Sequence, residues 1–364
     1  PTLHPVTLMN RLSLFIVSTV VALFSFLPQT AAASESEEPG IDVKEIVLGH
    51  MSDAYSWHIV TWNGHHVSIP LPVIVKGEHS GWHVFMSSKL DHGHSYEGFF
   101  IDETQNGKIY ERLDDGSIVR PLDLSITKDV LQIWIVVAIM LWLFIGAARW
   151  YRRHDVTRQA PGGIVGLVEM FVMMIYDDLI RPSVGERKAR FFAPYLLCAF
   201  FFIFITNLLG LIPIFPGGAN VTGNITITFF LAMFTMLAVN LFGNKEYWKE
   251  IFWPEVPTWL KAPIPIMPVI EFFGVFTKPF ALMVRLFANI MAGHAIILSI
   301  TCVIFITCQI GVAVGASISI VSFVMMIFMN ALEFLVAFIQ AYVFTMLSAV
   351  FIGLAQPEHH AHKA

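Results

Sequence analysis

The chain has 364 residues, of which 56% are hydrophobic and only 13% charged, with a net charge of −5 and a mean hydropathy of +0.67. Soluble domains carry about 25% charged residues, so this composition is that of a polytopic membrane protein. The acidic balance, with no basic tail, excludes a nucleic-acid binder, and three cysteines, all in apolar runs, predict buried free thiols and no disulfide framework.

In chain order, Arg11 precedes an apolar run (12–27) and then QTAAAS, the small-residue pattern of a signal-peptidase site. This predicts a secretory signal over 1–33, with Met9 as a natural start; an uncleaved anchor is the alternative. Residues 34–128 are polar, with β-branched runs such as VSIPLPVIV, YEGFFID and GKIYERL punctuated by NG and DG turns, so a small, mostly β, exported region is expected. It holds eight of the 14 histidines: His50, His58, His65, His66, His79, His83, His92 and His94. His92 and His94 form the best local pair for a metal, but neither a cysteine nor an HExxH spacing supports one, and no metal or other cofactor is expected.

The first apolar span covers 130–149. Eight basic residues follow it within one short segment: Arg149, Arg152, Arg153, Arg158, Arg181, Arg187, Lys188 and Arg190. By the positive-inside rule this segment is cytoplasmic. Inside it, 164–181 is apolar with Glu169, Asp177 and Asp178 interspersed, the pattern of a helix at the membrane surface. A second span covers 191–214, and the following PGGANVTGN has no Lys or Arg, as suits an outside loop. A third (225–242) returns to the basic, aromatic stretch 243–263.

Polar residues concentrate after Pro265. Glu271, Lys278 and Arg285 are spaced by seven, with Asn289 four further on, and so share nearly one face of an otherwise apolar helix. Ionisable groups in hydrocarbon are costly and mark function by default. His294 lies nine residues beyond Arg285, near the opposite side and about 14 Å further along, which assigns it to a different aqueous space. Hydropathy alone divides 266–355 into three crossings and leaves the C-terminus outside.

The run KPFALMVRLFANIMAGH (278–294), the later Glu333 with AFIQAYVF (337–344), TNLLGLIPIF (206–215) and GNITITFFLAMF (223–234) resemble subunit a of the F-type ATP synthase over roughly residues 162–356. The resemblance implies an all-α membrane domain of about five spans plus the β region, the last two helices (266–308 and 315–355) long and strongly tilted, with 357–364 a cytoplasmic tail. It implies a proton-translocating stator subunit of the bacterial inner membrane, without catalysis of its own, whose partners are the rotating c-ring, the subunit b stalk, the remaining synthase subunits, lipid and protons. No GxxxxGK[ST] motif occurs, so nucleotide chemistry falls to partner chains.

Carried over by motif, Arg285 faces the carboxylates of the c-ring, drives their deprotonation and bars direct leakage between two offset half-channels. Asn289 and Gln340 are its polar neighbours, with Gln340 expected to hydrogen-bond the guanidinium from the last helix. His294 and Glu333 occupy two positions where many bacterial members carry the reverse order, so a contacting pair in the outer half-channel is expected. An imidazole, with an ordinary pKa of about 6.5, suits a proton relay there; a purely structural ion pair is the alternative. Glu271 is assigned to the cytoplasmic exit path, Lys278 either to that path or to snorkelling, and Asn207 and Asn224 to the outer path. A secondary ion-coupled transporter is the rival reading, but it calls for internal repeats that this sequence lacks.

Overall fold

The computed structural model describes residues 53–62, 65–78, 81–90, 94–102, 107–113, 116–155, 159–212, 217–253, 266–310 and 312–356. The expected signal, His50, His79, His92 and the tail 357–364 lie outside them.

The polar N-terminal part is a β region of antiparallel pairs. β1 (Ser56–Trp62) pairs with β2 (His65–Pro70). β3 (Pro72–Gly77) is flanked by β4 (Gly81–Met86) and β8 (Leu122–Asp123). β5 (Phe99–Asp102), β6 (Lys108–Arg112) and β7 (Ile118–Val119) form the third sheet. The two-residue alternation of β3 turns Val73 and Val75 inward, against Tyr55, Phe85, Leu90, Phe99 and Ile109. Tyr96 and Phe99 exchange both backbone hydrogen bonds across Glu97 and Gly98, whose φ values of 53° and 86° are the left-handed pair that a tight hairpin demands. His83 lies 2.5 Å from the Glu97 carboxylate and holds its pKa below the ordinary range. The buried Tyr55 hydroxyl donates to Asp123, and burial, then that carboxylate, push the phenol pKa upward.

Five helices are long and apolar enough to cross a membrane. α1 (Lys128–Arg153) leaves the β region directly. α2 (Gly163–Met173) runs through a wider π-helical segment, Met174–Ile180, into the short α3 (Arg181–Val184). Ile175, Leu179, Ile180 and Val184 are buried in the bundle core, whereas Ile164, Leu167, Met170 and Met173 are exposed, so the apolar character read over 164–181 serves two faces. α4 (Glu186–Gly210) starts five residues before the expected 191, because helix geometry continues through Arg187, Lys188 and Arg190, whose long side chains reach polar surroundings. α5 (Ile225–Phe242) and the short α6 (Lys245–Phe252) follow.

The chain from Ile266 onward forms two helices, α7 (Ile266–Ile310) and α8 (Val312–Leu354). The three crossings suggested by hydropathy are therefore not formed. At 1.5 Å per residue the 45 residues of α7 extend about 67 Å, over twice the hydrocarbon thickness of about 30 Å, and a helix of that length enters a bilayer only steeply inclined. α4 is the centre of the bundle: 61% of its apolar window is buried within the chain, against 22% or less for every other span. Polar contacts stitch it to its neighbours. The Tyr195 hydroxyl lies 2.9 Å from Thr235 Oγ1, which lies 3.2 Å from Ser348 Oγ, linking α4, α5 and α8.

The end of α8 is tied to the basic segment. Lys188 Nζ donates to the Gln356 carbonyl at 3.3 Å, Gln356 Nε2 donates to the Phe242 carbonyl at 2.9 Å, and a Cβ added at Gly353 would lie 2.0 Å from the Ser183 carbonyl oxygen. Cys302 is buried but Cys198 is exposed, contrary to expectation. A bundle helix in lipid turns its apolar residues outward as well as inward, so an apolar run does not imply burial within the chain.

Candidate functional site: a polar path along the last two helices

The outer part of the site is built where α7 meets α8. His294 Nδ1 lies 3.5 Å from Glu333 Oε1, a close approach of imidazole and carboxylate that falls short of a hydrogen bond. Glu333 is 9% exposed. The approach depends on Gly293, where an added Cβ would stand 2.4 Å from the same Glu333 oxygen. Across the pair, Gly210 at the end of α4 adjoins the ring: a Cβ there would stand 3.8 Å from His294 Nε2, in ordinary van der Waals contact.

Asn207 joins this cluster from α4. Its Nδ2 donates to the Ala337 carbonyl at 3.4 Å, one turn past Glu333, and its Oδ1 accepts from Thr222 Oγ1 at 2.7 Å. Asn224 stands apart as the N-cap of α5, its Oδ1 accepting from Thr226 N at 3.1 Å. Its Nδ2 donates to Asp129 Oδ2 at 3.0 Å, a partner on α1.

Arg285 and Asn289 are placed differently. Both are exposed on α7, and neither has a hydrogen bond or ion pair to the described residues. The bond expected between Arg285 and Gln340 is not formed. Gln340 is 7% exposed, sunk in the bundle, while the guanidinium is turned outward on a face that also exposes Phe280 and Val284. The side chains of that face belong to another surface than the one α8 packs against.

Glu271 and Lys278 gather at the other end. Lys278 Nζ lies 5.9 Å from the Phe351 ring centroid on α8. It borders a cleft of about 20 Å³ shared with Thr235, Asn240, Tyr247 and Pro279, enough for about one water. Pro279 has no N–H, so the Val275 carbonyl in the same cleft is left without its helical partner. The Tyr247 hydroxyl donates to Asn240 Oδ1 at 3.3 Å. Burial and then the Glu271 charge push the Tyr247 phenol pKa upward, which puts that carboxylate within electrostatic reach of α6.

The ATP synthase A chain family matches residues 130–353. The chain belongs to that family. A subunit a of the F-type ATP synthase is the proton-translocating stator component of the complex, and the transporter reading falls away. The chain is 44% identical over 253 residues to ATP synthase subunit a 2 of Chlorobaculum tepidum, covering 67% of each protein. It is 42% identical over 251 residues to subunit a of Pelodictyon phaeoclathratiforme, covering 67% of this chain and 69% of that one. It is 38% identical over 314 residues to subunit a of Chlorobium phaeobacteroides, covering 82% of this chain and 87% of that one. Residues 46–124 match a separate domain family of unknown function.

In this subunit a, sequence reasoning passed over Asp129, Thr222 and Gly293. Gly293 was legible only as a small residue beside His294, and Thr222 as one polar residue in a loop. Asp129 carried a clearer signal, an acid placed at the very start of an apolar span.

Proposed function

We propose that Arg285 is the residue that meets the carboxylates of a rotating c-ring, with His294 and Glu333 on the entry path for protons and Glu271 beside the exit. One observation carries this reading. Arg285 is exposed on an apolar face of a membrane helix with no polar partner among the described residues. A cation facing lipid there costs at least about 2.5 kcal/mol, so an acidic partner from another chain accounts for it. An opposite charge within about 4–6 Å lowers a carboxylate pKa by one to three units, which releases the proton of an arriving c-ring site.

The polar groups on either side of Arg285 divide into two clusters, His294 with Glu333 toward the C-terminal side of α7 and Glu271 with Lys278 toward its N-terminal side. A fixed cation between them opposes direct passage and obliges protons to travel on the ring. Asn289, one turn from Arg285, shares its exposed face, whereas Gln340 is buried in the bundle. The basic segment 149–190 supports a cytoplasmic position for it and, through the Lys188–Gln356 contact, for the C-terminal end of α8. The β region then lies outside an inner membrane. Nucleotide chemistry and the subunit b stalk belong to partner chains, and this chain performs no catalysis alone.

The test is reconstitution of assembled complexes carrying Arg285→Ala or Arg285→Lys. Lysine keeps a charge but exchanges a permanently protonated fork for an ammonium that loses its proton when buried. Both variants are expected to abolish gradient-driven ATP synthesis, and the alanine form to leak protons. Appreciable synthesis by an assembled Arg285→Ala complex overturns the assignment.

A further inference from the structure

Polar groups continue beyond His294 and Glu333 toward the β region. Among the described residues, four buried side-chain atoms have no hydrogen-bond partner: Thr127 Oγ1, Gln132 Nε2, Thr206 Oγ1 and Glu333 Oε1. All four belong to this end of the bundle. Thr127 precedes α1, Gln132 lies in its first turns, and Thr206 adjoins Asn207. A buried polar atom left unpaired is destabilising, and ordered water is the usual partner.

A chain of contacts joins these positions. Asp129 N donates to Asp53 Oδ1 at 3.3 Å, just ahead of β1. Asn224 Nδ2 donates to Asp129 Oδ2, and Asn224 N to the Val221 carbonyl at 3.1 Å. The adjacent Thr222 reaches Asn207, which reaches the turn of α8 after Glu333. In parallel, Ala219 N donates to Gln132 Oε1 at 2.9 Å. Asp129 is only 4% exposed; besides Asn224, the charges facing it are Asp53, Lys128 and Lys108. Asp53 also lines a pocket of about 190 Å³ in the β region, together with Tyr55, Ser56, Ser87 and Ile101.

We propose that this pocket is the portal through which protons reach the outer half-channel, with Asp53 in its lining and Asp129, whose backbone N–H donates to Asp53, next along the path as the proton-accepting carboxylates. A hydronium ion from the outer phase transfers its proton to a carboxylate oxygen and leaves as water. The carboxylic acid then passes that proton to a water on the inner side and is regenerated as carboxylate, so nothing else is consumed. Asn224, Thr222 and Asn207 are positioning residues that hold the water path to Glu333 and His294. The two carboxylates follow one another along the path, since the backbone N–H of Asp129 donates to the Asp53 carboxylate. The portal rests on the entry role given above to Glu333 and His294, but it lies outside that family's match: Asp129 falls one residue before it, and Asp53 within the domain of unknown function.

The experiment uses the whole complex in vesicles, with Cys198, Cys302 and Cys308 replaced by serine and Ser56→Cys introduced in the pocket. A bulky, impermeant methanethiosulfonate added on the β-region side is expected to reduce proton flux through the complex at least tenfold, reversibly with a thiol reductant. Asp129→Asn keeps an acceptor for Asn224 but cannot carry a proton. It is expected to slow flux at least tenfold, short of the ~100-fold or more of a fully rate-determining proton-transfer group because water bridges part of the gap. Asp129→Glu is expected to recover most of the rate, which a purely structural aspartate would not predict. If Asp129→Asn fails to assemble, the Ser56→Cys block alone decides. Unchanged flux after complete modification of Ser56→Cys overturns the portal. Arg285→Ala in the same vesicles separates the two claims: lost synthesis with an unblocked Ser56→Cys complex removes only the portal, whereas normal synthesis removes the underlying reading.

Discussion

Glu333 and His294 are held together by a missing side chain. Gly293 allows the Glu333 carboxylate to lie where a Cβ would stand 2.4 Å away, far inside van der Waals contact. Gly293→Ala is therefore expected to push the carboxylate off His294 while adding helix propensity of up to about 1 kcal/mol to α7. The complex should assemble, with proton-driven synthesis reduced several-fold; synthesis at the parental rate would mean that the His294–Glu333 approach has no part in transport. Exchanging the two residues, His294→Glu with Glu333→His, is the complementary test. It retains one acid and one imidazole, so it should recover part of the flux that either single neutral substitution removes. Normal passive flux in both single variants would make the pair structural.

At the level of elements, α7 and α8 are long because nothing in either interrupts helix geometry except Pro279, and a proline within a membrane helix bends it without ending it. The C-terminal end of α8 is fixed by close backbone approach: its Gly353 sits against Ser183 of α3, where a Cβ would fall 2.0 Å from a carbonyl oxygen. Backbone cannot yield as a flexible side chain does. Gly353→Ala is expected to destabilise the subunit by about 1–3 kcal/mol through overpacking. Gly146→Ala on α1, where an added Cβ meets nothing within 4 Å, should be neutral or stabilising by up to about 1 kcal/mol. Thermal melting of the detergent-solubilised complex distinguishes the two; equal shifts would remove the packing argument.

Across the whole molecule, the contacts of Lys188, Phe242 and Ser183 with the end of α8 put that end beside the basic segment, while the β region adjoins the opposite end of α1. Single cysteines placed in the β region and at His359 are expected to differ in intact cells, the first labelled by an impermeant maleimide and the second protected. The reverse pattern would invert the orientation.

How much of this was legible depends on how local the cause is. Spans, the basic segment, the β character of the N-terminal part and the stripe Glu271, Lys278, Arg285 follow from hydropathy, charge and period, which neighbouring residues alone set. The length of the last two helices was not legible from hydropathy, because the polar residues near His294 look like a break until a neighbouring helix is there to meet them. Pairwise relations needed the tertiary structure. Arg285 and Gln340 read as partners from motif, yet the fold turns one outward and buries the other. Asp129 reads as the flank of an apolar span, yet packing surrounds it with Asn224 and Asp53, 95 and 76 residues distant in the chain. Sequence alone determined which chemistry this protein carries into the membrane, since placing a charge in hydrocarbon is costly wherever it occurs; only the packed structure decided which of those groups meet, because a contact depends on the rotation and offset of two helices that no single stretch of sequence specifies.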